Sequence, residues 1–475
     1  MMLPRVMTAA AKSGSGKTII TCGLLEVLKR RGLDVRTYKC GPDYIDPMFH
    51  RMVTGVPGGN IDTFFSSEEE IREMLCRSGA EAAVIEGVMG IYDGVAGPGG
   101  RGSCYDAAVL SGTPVLLIMD VKGMGQTMLS LIRGILADDS EKLIRGIILN
   151  RISPSYLGTI KPMLDEVLGG ISDDRGVGVR LLGGIPDSKG IHLESRHLGL
   201  NMPGEIDDLK EQVKAAADLI EEHLDMDAVL EIMDQADEIE KPETGQTEKR
   251  PAASRLREQS LILAAARDES FCFYYEENLR ALEDAGIRIK CFSPLHDSKV
   301  PGEADGLLFG GGYPELYASE LSANTAMLAS VREAIDSGMP SLAECGGFMY
   351  LLDSLEDMQG RQHKMAGALA GSSHYTGKLG RFGYVTLREK KHLCAADTLI
   401  TGLEIKGHEF HYFDSDNNGS NAVAEKPSSG RTWECMHADR DHLWGYPHLW
   451  YPSCPELIRR FAAAMEEYRK KKHDG

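Results

Sequence analysis

The chain has 475 residues, enough for two to four domains that each bury a core of their own. Its 71 acidic and 52 basic residues leave a formal charge of −19, which sets aside nucleic acid as the main partner. No apolar stretch of about 18 residues marks a membrane span and the N-terminus has no secretory pattern, so a soluble, cytoplasmic protein without a membrane partner is predicted. The ten cysteines include no C-x-x-C pair, so neither a zinc knuckle nor a disulfide framework is indicated.

A short apolar run from Leu3 to Ala10 leads into Ala11-Lys12-Ser13-Gly14-Ser15-Gly16-Lys17-Thr18, and a helical pattern follows from Ile19 to Arg31. In a strand, glycine-rich turn and helix start of this kind, backbone N–H groups and the positive helix end converge on an anion. Lys17 then reaches the terminal phosphates and Thr18 can hold Mg²⁺. Gly14, Ser15, Gly16, Lys17 and Thr18 are therefore predicted to bind ATP, although Ala11 stands where the full pattern has glycine.

Further apolar runs, Val35 to Cys40, Ala82 to Glu86, Val115 to Asp120 and Gly146 to Asn150, alternate with amphipathic segments. This predicts an α/β domain with a parallel sheet, whose ligands gather beyond the carboxyl ends of the strands. After the second run, Lys39-Cys40-Gly41-Pro42-Asp43-Tyr44-Ile45-Asp46-Pro47 gathers the carboxylates of Asp43 and Asp46 and the ring of Tyr44 as candidate site groups, where a plain turn would explain only Gly, Pro and one Asp. The next run ends in Glu86-Gly87-Val88-Met89-Gly90-Ile91-Tyr92-Asp93-Gly94. Glu86 is the first choice, and Asp93 the second, for a carboxylate on Mg²⁺ or its water shell. Asn150 either reads the adenine edge or caps its strand. A strand-to-loop exit follows at Gly183 to Asp187, then an acidic helical pattern from Leu209 to Ile239 and a polar, proline-punctuated stretch. The expected organisation is a P-loop ATP-binding domain over 1–238, a linker over 239–259 and a second α/β domain over 260–475.

The second half centres on Pro340-Ser-Leu-Ala-Glu-Cys345-Gly346-Gly347, a short strand running into a cysteine, two glycines and a helical pattern. A sharp strand-to-helix turn exposes a nucleophile above a sheet, and the helix start is expected to favour its thiolate. Upstream, Gly310, Gly311 and Gly312 end another strand. N–H groups of that loop, Gly311 among them, together with Gly346 make a candidate oxyanion hole. The base for Cys345 is sought among His408, His411, His442 and His448.

Ser13 to Thr18, Lys39 to Pro47 and Glu86 to Gly94, in this order and spacing, resemble the cobyrinate a,c-diamide synthase family, and the resemblance covers nearly the whole chain except the linker. That family is similar to dethiobiotin synthetase in its first half and activates a substrate carboxylate with ATP. The resemblance implies that Asp46, Glu86 and Asp93 serve the region of Mg·ATP and the corrinoid carboxylate. From Leu261 onward the chain resembles the class I glutamine amidotransferases, which implies a flavodoxin-like α/β fold and ammonia released from glutamine at Cys345. The cobyrinate branch carries its histidine in a G/S-Y-x-H-L segment, matched by Tyr446-Pro447-His448-Leu449, which implies that His448 is the base. Ordinary members carry His-x-Glu. Here Trp450 occupies the third position, which implies a Cys–His dyad, while His408 and His411 fall in a G-H-E-F-H-Y segment with a structural or interface role. The implied substrates are cobyrinic acid, amidated at its a and c acetates for cobalamin synthesis, glutamine and ATP with Mg²⁺; close relatives act on hydrogenobyrinic acid or nickel sirohydrochlorin. Lys12 also matches the variant P-loop of partitioning ATPases, where that lysine reaches across a dimer. A homodimer and a partition-type switch therefore stay open as alternatives, with Cys345 and Gly310 to Gly312 against the switch.

Overall fold

The apolar runs of the first half become strands of one parallel sheet in a computed structural model that describes residues 2–95, 102–188, 206–239, 260–390 and 398–474. The chain divides into two compact units, Met1–Thr244 and Gly245–Gly475. Of the linker expected over 239–259, residues 240–259 lie outside the described residues.

In the first unit the strands are β1 (Arg5–Ala10), β2 (Val35–Cys40), β3 (Gly58–Ile61), β4 (Ala82–Glu86), β5 (Val115–Asp120), β6 (Ile144–Asn150) and β7 (Arg180–Ile185). They lie in the order β3-β2-β4-β1-β5-β6-β7, every neighbouring pair parallel. Residues of the central strands alternate between two cores. Met7, Ala9, Leu117 and Met119 belong to one, and Val6, Ala10, Leu116 and Ile118 to the other. A strand buried on both faces needs an unbroken apolar run, and that is the pattern the sequence shows. β3 escaped the sequence reading because Gly58-Gly59-Asn60-Ile61 has no apolar run; it is held by its ladder to β2. Helix α1 (Lys17–Arg30) follows the P-loop and α2 (Ile45–Thr54) follows the Asp43–Tyr44 turn. The P-loop, Lys39 and Glu86 thus sit at the carboxyl ends of β1, β2 and β4, which are brought together by the reversal of strand order at β1.

The second unit is built on a six-stranded sheet in the order Ile287–Phe292, Leu261–Ala266, Gly306–Phe309, Ser341–Glu344, His442–Gly445 and His437–Ala438. Its pairs are parallel except the last. Three adjacent strands end in the segments singled out from sequence: Gly306–Phe309 in the glycine loop, Ser341–Glu344 in Cys345, and His442–Gly445 in the turn to His448. Between residues 352 and 449 the chain adds a four-stranded and a five-stranded sheet, which the sequence reading did not resolve. The five-stranded sheet carries His448–Leu449 as an edge strand, with Gly407 opposite Leu449 and His408 opposite His448.

Candidate active sites

At the first site the Ser15 hydroxyl donates to the Lys12 carbonyl at 2.9 Å and closes the P-loop on itself. Gly16 takes φ +88 directly before α1, a left-handed conformation that glycine adopts at little cost. A Cβ there would stand 2.5 Å from Nδ2 of Asn150, and that amide donates to the Ser15 carbonyl at 2.9 Å. Asn150 is therefore placed as a strut beneath the loop, with its Nδ2 committed to protein. The Lys17 ammonium donates to the Met89 carbonyl at 2.6 Å. Burial, and then the neighbouring Lys39, lower its pKa. Lys12 lies 3.8 Å from Asp120, which also forms a paired contact with Arg151 of the same chain.

Glu86 is fully buried and is the hub of this site. Its Oε1 accepts from Thr18 Oγ1 at 2.7 Å and from Lys39 Nζ at 2.8 Å, and its Oε2 meets His50 Nε2 at 2.6 Å. Lys39 also pairs with Asp46. Burial opposes ionisation of Glu86, but Lys39 and His50 outweigh it and hold the carboxyl well below the usual range. Asp46 moves the other way: burial, reinforced by Asp43 and Glu86, raises it despite Lys39. Asp43 accepts from the N–H groups of Ile45 and Asp46 at 2.8 and 3.3 Å, which fixes the start of α2. Tyr44 is the residue just before that helix, and Asp93 accepts from the Gly90 N–H at 2.8 Å. Lys39 and His50 were not singled out from sequence. Lys39 was the one detectable signal, as the only cation in a stretch with two carboxylates.

Thr18, Glu86 and Asp46 form a set of hard oxygen donors, and among the described residues no group of three His, Cys, Asp or Glu makes a dedicated metal cage. That combination fits Mg²⁺, which keeps several waters and takes one or two carboxylates together with phosphate oxygens.

At the second site Cys345 takes φ 47 and ψ −106, a strained conformation for a side chain with a Cβ, between strand Ser341–Glu344 and helix Gly346–Leu351. Its N–H donates to the Gly445 carbonyl at 2.8 Å, which ties the turn to the neighbouring strand. A Cβ on Gly346 would stand 2.8 Å from Pro314 Cδ and 3.1 Å from the Gly312 nitrogen, so the glycine loop lies directly against the turn. A Cβ on Gly311 would stand 2.3 Å from Cε1 of His448. The loop therefore touches the turn through Gly312 and the imidazole through Gly311.

Two of the other candidate histidines, His411 and His442, are occupied elsewhere. His411 contacts Glu409 at 2.9 Å and stacks on Tyr446 at a centroid distance of 4.2 Å. His442 contacts the Ser341 hydroxyl at 2.9 Å. His408 is buried, and burial together with nearby His448 pushes it down to about 3, so it stays neutral. The expectation of a thiolate at Cys345 is not met. Burial, then the charges of Glu315, Glu409 and Glu344, push the thiol far up, and the N–H of Gly346 only partly opposes them. A six-residue helix does not offset three carboxylates.

Trp450, where the sequence lacked an orienting carboxylate, is buried with its ring 5.0 Å from that of Tyr275. A carboxylate nonetheless stands beside His448: Glu344 Oε2 is 3.7 Å from Nδ1, with both residues buried. Sequence reasoning passed over Glu344, whose signal was its position immediately before Cys345.

A family model described as the CobQ/CobB/MinD/ParA nucleotide binding domain matches residues 6–200, and one described as the CobB/CobQ-like glutamine amidotransferase domain matches residues 262–449. A nucleotide-binding P-loop unit joined to a cysteine-centred amidotransferase unit defines a glutamine-hydrolysing amido-ligase. A cobyrinate a,c-diamide synthase of Caldanaerobacter subterraneus subsp. tengcongensis is 34% identical over 471 residues, 98% of this chain and 99% of that one. Its counterpart in Clostridium tetani is 35% identical over 94% of this chain and 96% of its own. The one in Methanothermobacter thermautotrophicus is 34% identical over 98% of this chain and 100% of its own. The chain belongs to the cobyrinate a,c-diamide synthase family. No helix among the described residues is long and apolar enough to cross a membrane.

Proposed function

We propose that this chain converts cobyrinic acid to its a,c-diamide in the cytoplasm, using ammonia from glutamine and hydrolysing ATP, as a step of cobalamin synthesis. Similarity to enzymes named for that product along nearly the full length of both chains carries the reading.

Glutamine binds with its amide carbon over Cys345, and His448 takes the thiol proton as sulfur attacks. The N–H groups of Gly311 and Gly346 receive the developing oxyanion. As the C–N bond breaks, His448 returns the proton to the leaving nitrogen and ammonia departs. Water then hydrolyses the thioester to glutamate.

In the first unit, Lys17 and the loop of Gly14, Ser15 and Gly16 hold the phosphates, while Asn150 braces that loop from below. Thr18, Glu86 and Asp46 would hold Mg²⁺. Bound Mg·ATP would supply the phosphoryl group for a substrate carboxylate, leaving ADP, and phosphate would leave as ammonia forms the amide. Asp43, Tyr44 and Asp93 face the tetrapyrrole. Neither nucleic acid nor membrane enters this chemistry, and association into a homodimer is read by light scattering.

The test is mass spectrometry of cobyrinic acid incubated with the protein, Mg·ATP and glutamine, alongside Cys345→Ala given glutamine or ammonium. The expected result is two acid-to-amide conversions by the wild type, lost in Cys345→Ala with glutamine and restored by ammonium. Conversion of hydrogenobyrinic acid or nickel sirohydrochlorin, with cobyrinic acid untouched, would replace the substrate and keep the chemistry.

A further inference from the structure

We propose that Glu344 is the positioning carboxylate for His448 during glutamine hydrolysis. The inference rests on Cys345 and His448 being the hydrolytic pair.

Glu344 is the last residue of strand Ser341–Glu344, so it shares its backbone with the nucleophile. Its Oε2 lies 3.7 Å from Nδ1 of His448, and the two residues are 6% and 3% exposed. The imidazole has little freedom to turn away. Cε1 packs on Gly311, and the backbone of His448 is fixed in the ladder opposite His408. With Nδ1 facing a carboxylate, the neutral ring carries its proton on Nδ1 and leaves the Nε2 lone pair for the thiol. Two other carboxylates lie near enough to influence Cys345, and both are differently employed. Glu409 is held by His411 and by the Trp433 N–H, each at 2.9 Å. Glu315 belongs to the short helix Pro314–Leu316 that follows the glycine loop.

The electrostatics favour the same role. Glu344 is also hydrogen-bonded by the buried Tyr451 side chain, and its charge is further compensated when the ring beside it gains a proton. His448 gains it when Nε2 takes the Cys345 proton and Sγ bonds to the amide carbon. Nε2 then protonates the nitrogen as the C–N bond breaks and ammonia leaves. In the second half, Nε2 takes a proton from water as oxygen attacks the thioester, and returns it to Sγ as the C–S bond breaks. Glu344 faces Nδ1 across 3.7 Å, so its carboxylate is placed to stabilise the imidazolium twice per turnover.

The test uses the full-length protein carrying Glu344→Gln or Glu344→Asp, with kcat and KM for glutamine hydrolysis and the rate of ammonium-driven amidation. For Glu344→Gln we expect kcat to fall about a hundredfold with KM for glutamine within about threefold of wild type. Glu344→Asp should recover at least tenfold of that loss, and both variants should amidate with ammonium at the wild-type rate. A Glu344→Gln kcat within threefold of wild type overturns the proposal. Equal losses in both variants with a lowered unfolding midpoint overturn it as well, since they make Glu344 a structural residue. Cys345→Ala is run in parallel: if it still hydrolyses glutamine, the assignment of the hydrolytic pair has failed, which is a separate result from failure of Glu344 alone.

Discussion

Gly311 and His448 pack so closely that a single methyl group on the glycine would stand 2.3 Å from the ring carbon Cε1. Real carbon atoms do not approach to that distance, so Gly311→Ala must displace either the imidazole or the loop. The expected outcome is a fall of about a hundredfold in glutamine-dependent kcat, on the scale of removing an oxyanion-hole contact. Ammonium-driven amidation should be unchanged. Steady-state assays with the two nitrogen sources check this, and equal activity of the variant with glutamine would show that the loop yields freely.

Glu86 is shared by Thr18, Lys39 and His50 in the first unit. Replacing it with Gln leaves a buried ammonium with Asp46 as its remaining carboxylate. Removing one partner of a buried ion pair costs about 3–5 kcal/mol. Hydrogen exchange followed by mass spectrometry should show faster exchange in β2 and β4 of Glu86→Gln. ATP-dependent amidation should be lost while glutamine hydrolysis persists. Unchanged exchange in those strands would remove Glu86 from its place as the hub.

The Cys345 thiol is pushed up by burial and by the charges of Glu315, Glu409 and Glu344. In the absence of glutamine, its alkylation by iodoacetamide should therefore rise about tenfold per pH unit from pH 7 to 9 without reaching a plateau. Glu315→Gln removes one of the opposing charges and should speed the reaction at pH 8. A plateau below pH 8 in the wild type would mean that the thiolate already exists at rest.

Glu315 is pushed up to about 7 by burial from its ordinary value of 4.5. Between these two values the unfolded chain has released the proton and the folded chain still holds it. The folded state binds more protons in that window, so stability falls as pH rises from about 4.5 to about 7 and changes no further above it. The contribution amounts to roughly 3 kcal/mol. Glu315→Gln should flatten that part of the profile, as read from urea midpoints at pH 5 and 7.5, and an unaltered slope would show that other groups set it.

The parallel sheet of the first unit was legible because strands buried on both faces must be written as apolar runs, as in Val115–Asp120. Gly14 to Thr18 and Cys345 with its glycines were legible for a different reason: their backbone conformations restrict which residues can stand there. The mixed four-stranded sheet and the antiparallel five-stranded sheet between 352 and 449 were not legible. Strands such as Leu369–Tyr375 and Phe382–Glu389 are only partly buried and mix polar with apolar residues, so no periodicity separates them from loops. Lys39, His50 and Glu344 were missed because their importance lies in contacts made across the fold. His50 is 36 residues from Glu86, and Glu344 is matched to His448 only through the side-by-side placement of strands Ser341–Glu344 and His442–Gly445. The thiolate expectation failed because the helix start was visible in the sequence and the converging carboxylates were not.

The strand that carries Cys345 is bordered by one drawn from earlier in the chain and one drawn from about a hundred residues later. During synthesis the nucleophile therefore emerges well before the segment that bears its base. A nascent chain that stops short of His442–Gly445 carries Cys345 without His448, the imidazole assigned to take its proton. On the proposed assignment, release of ammonia from glutamine therefore waits for the segment that carries His448.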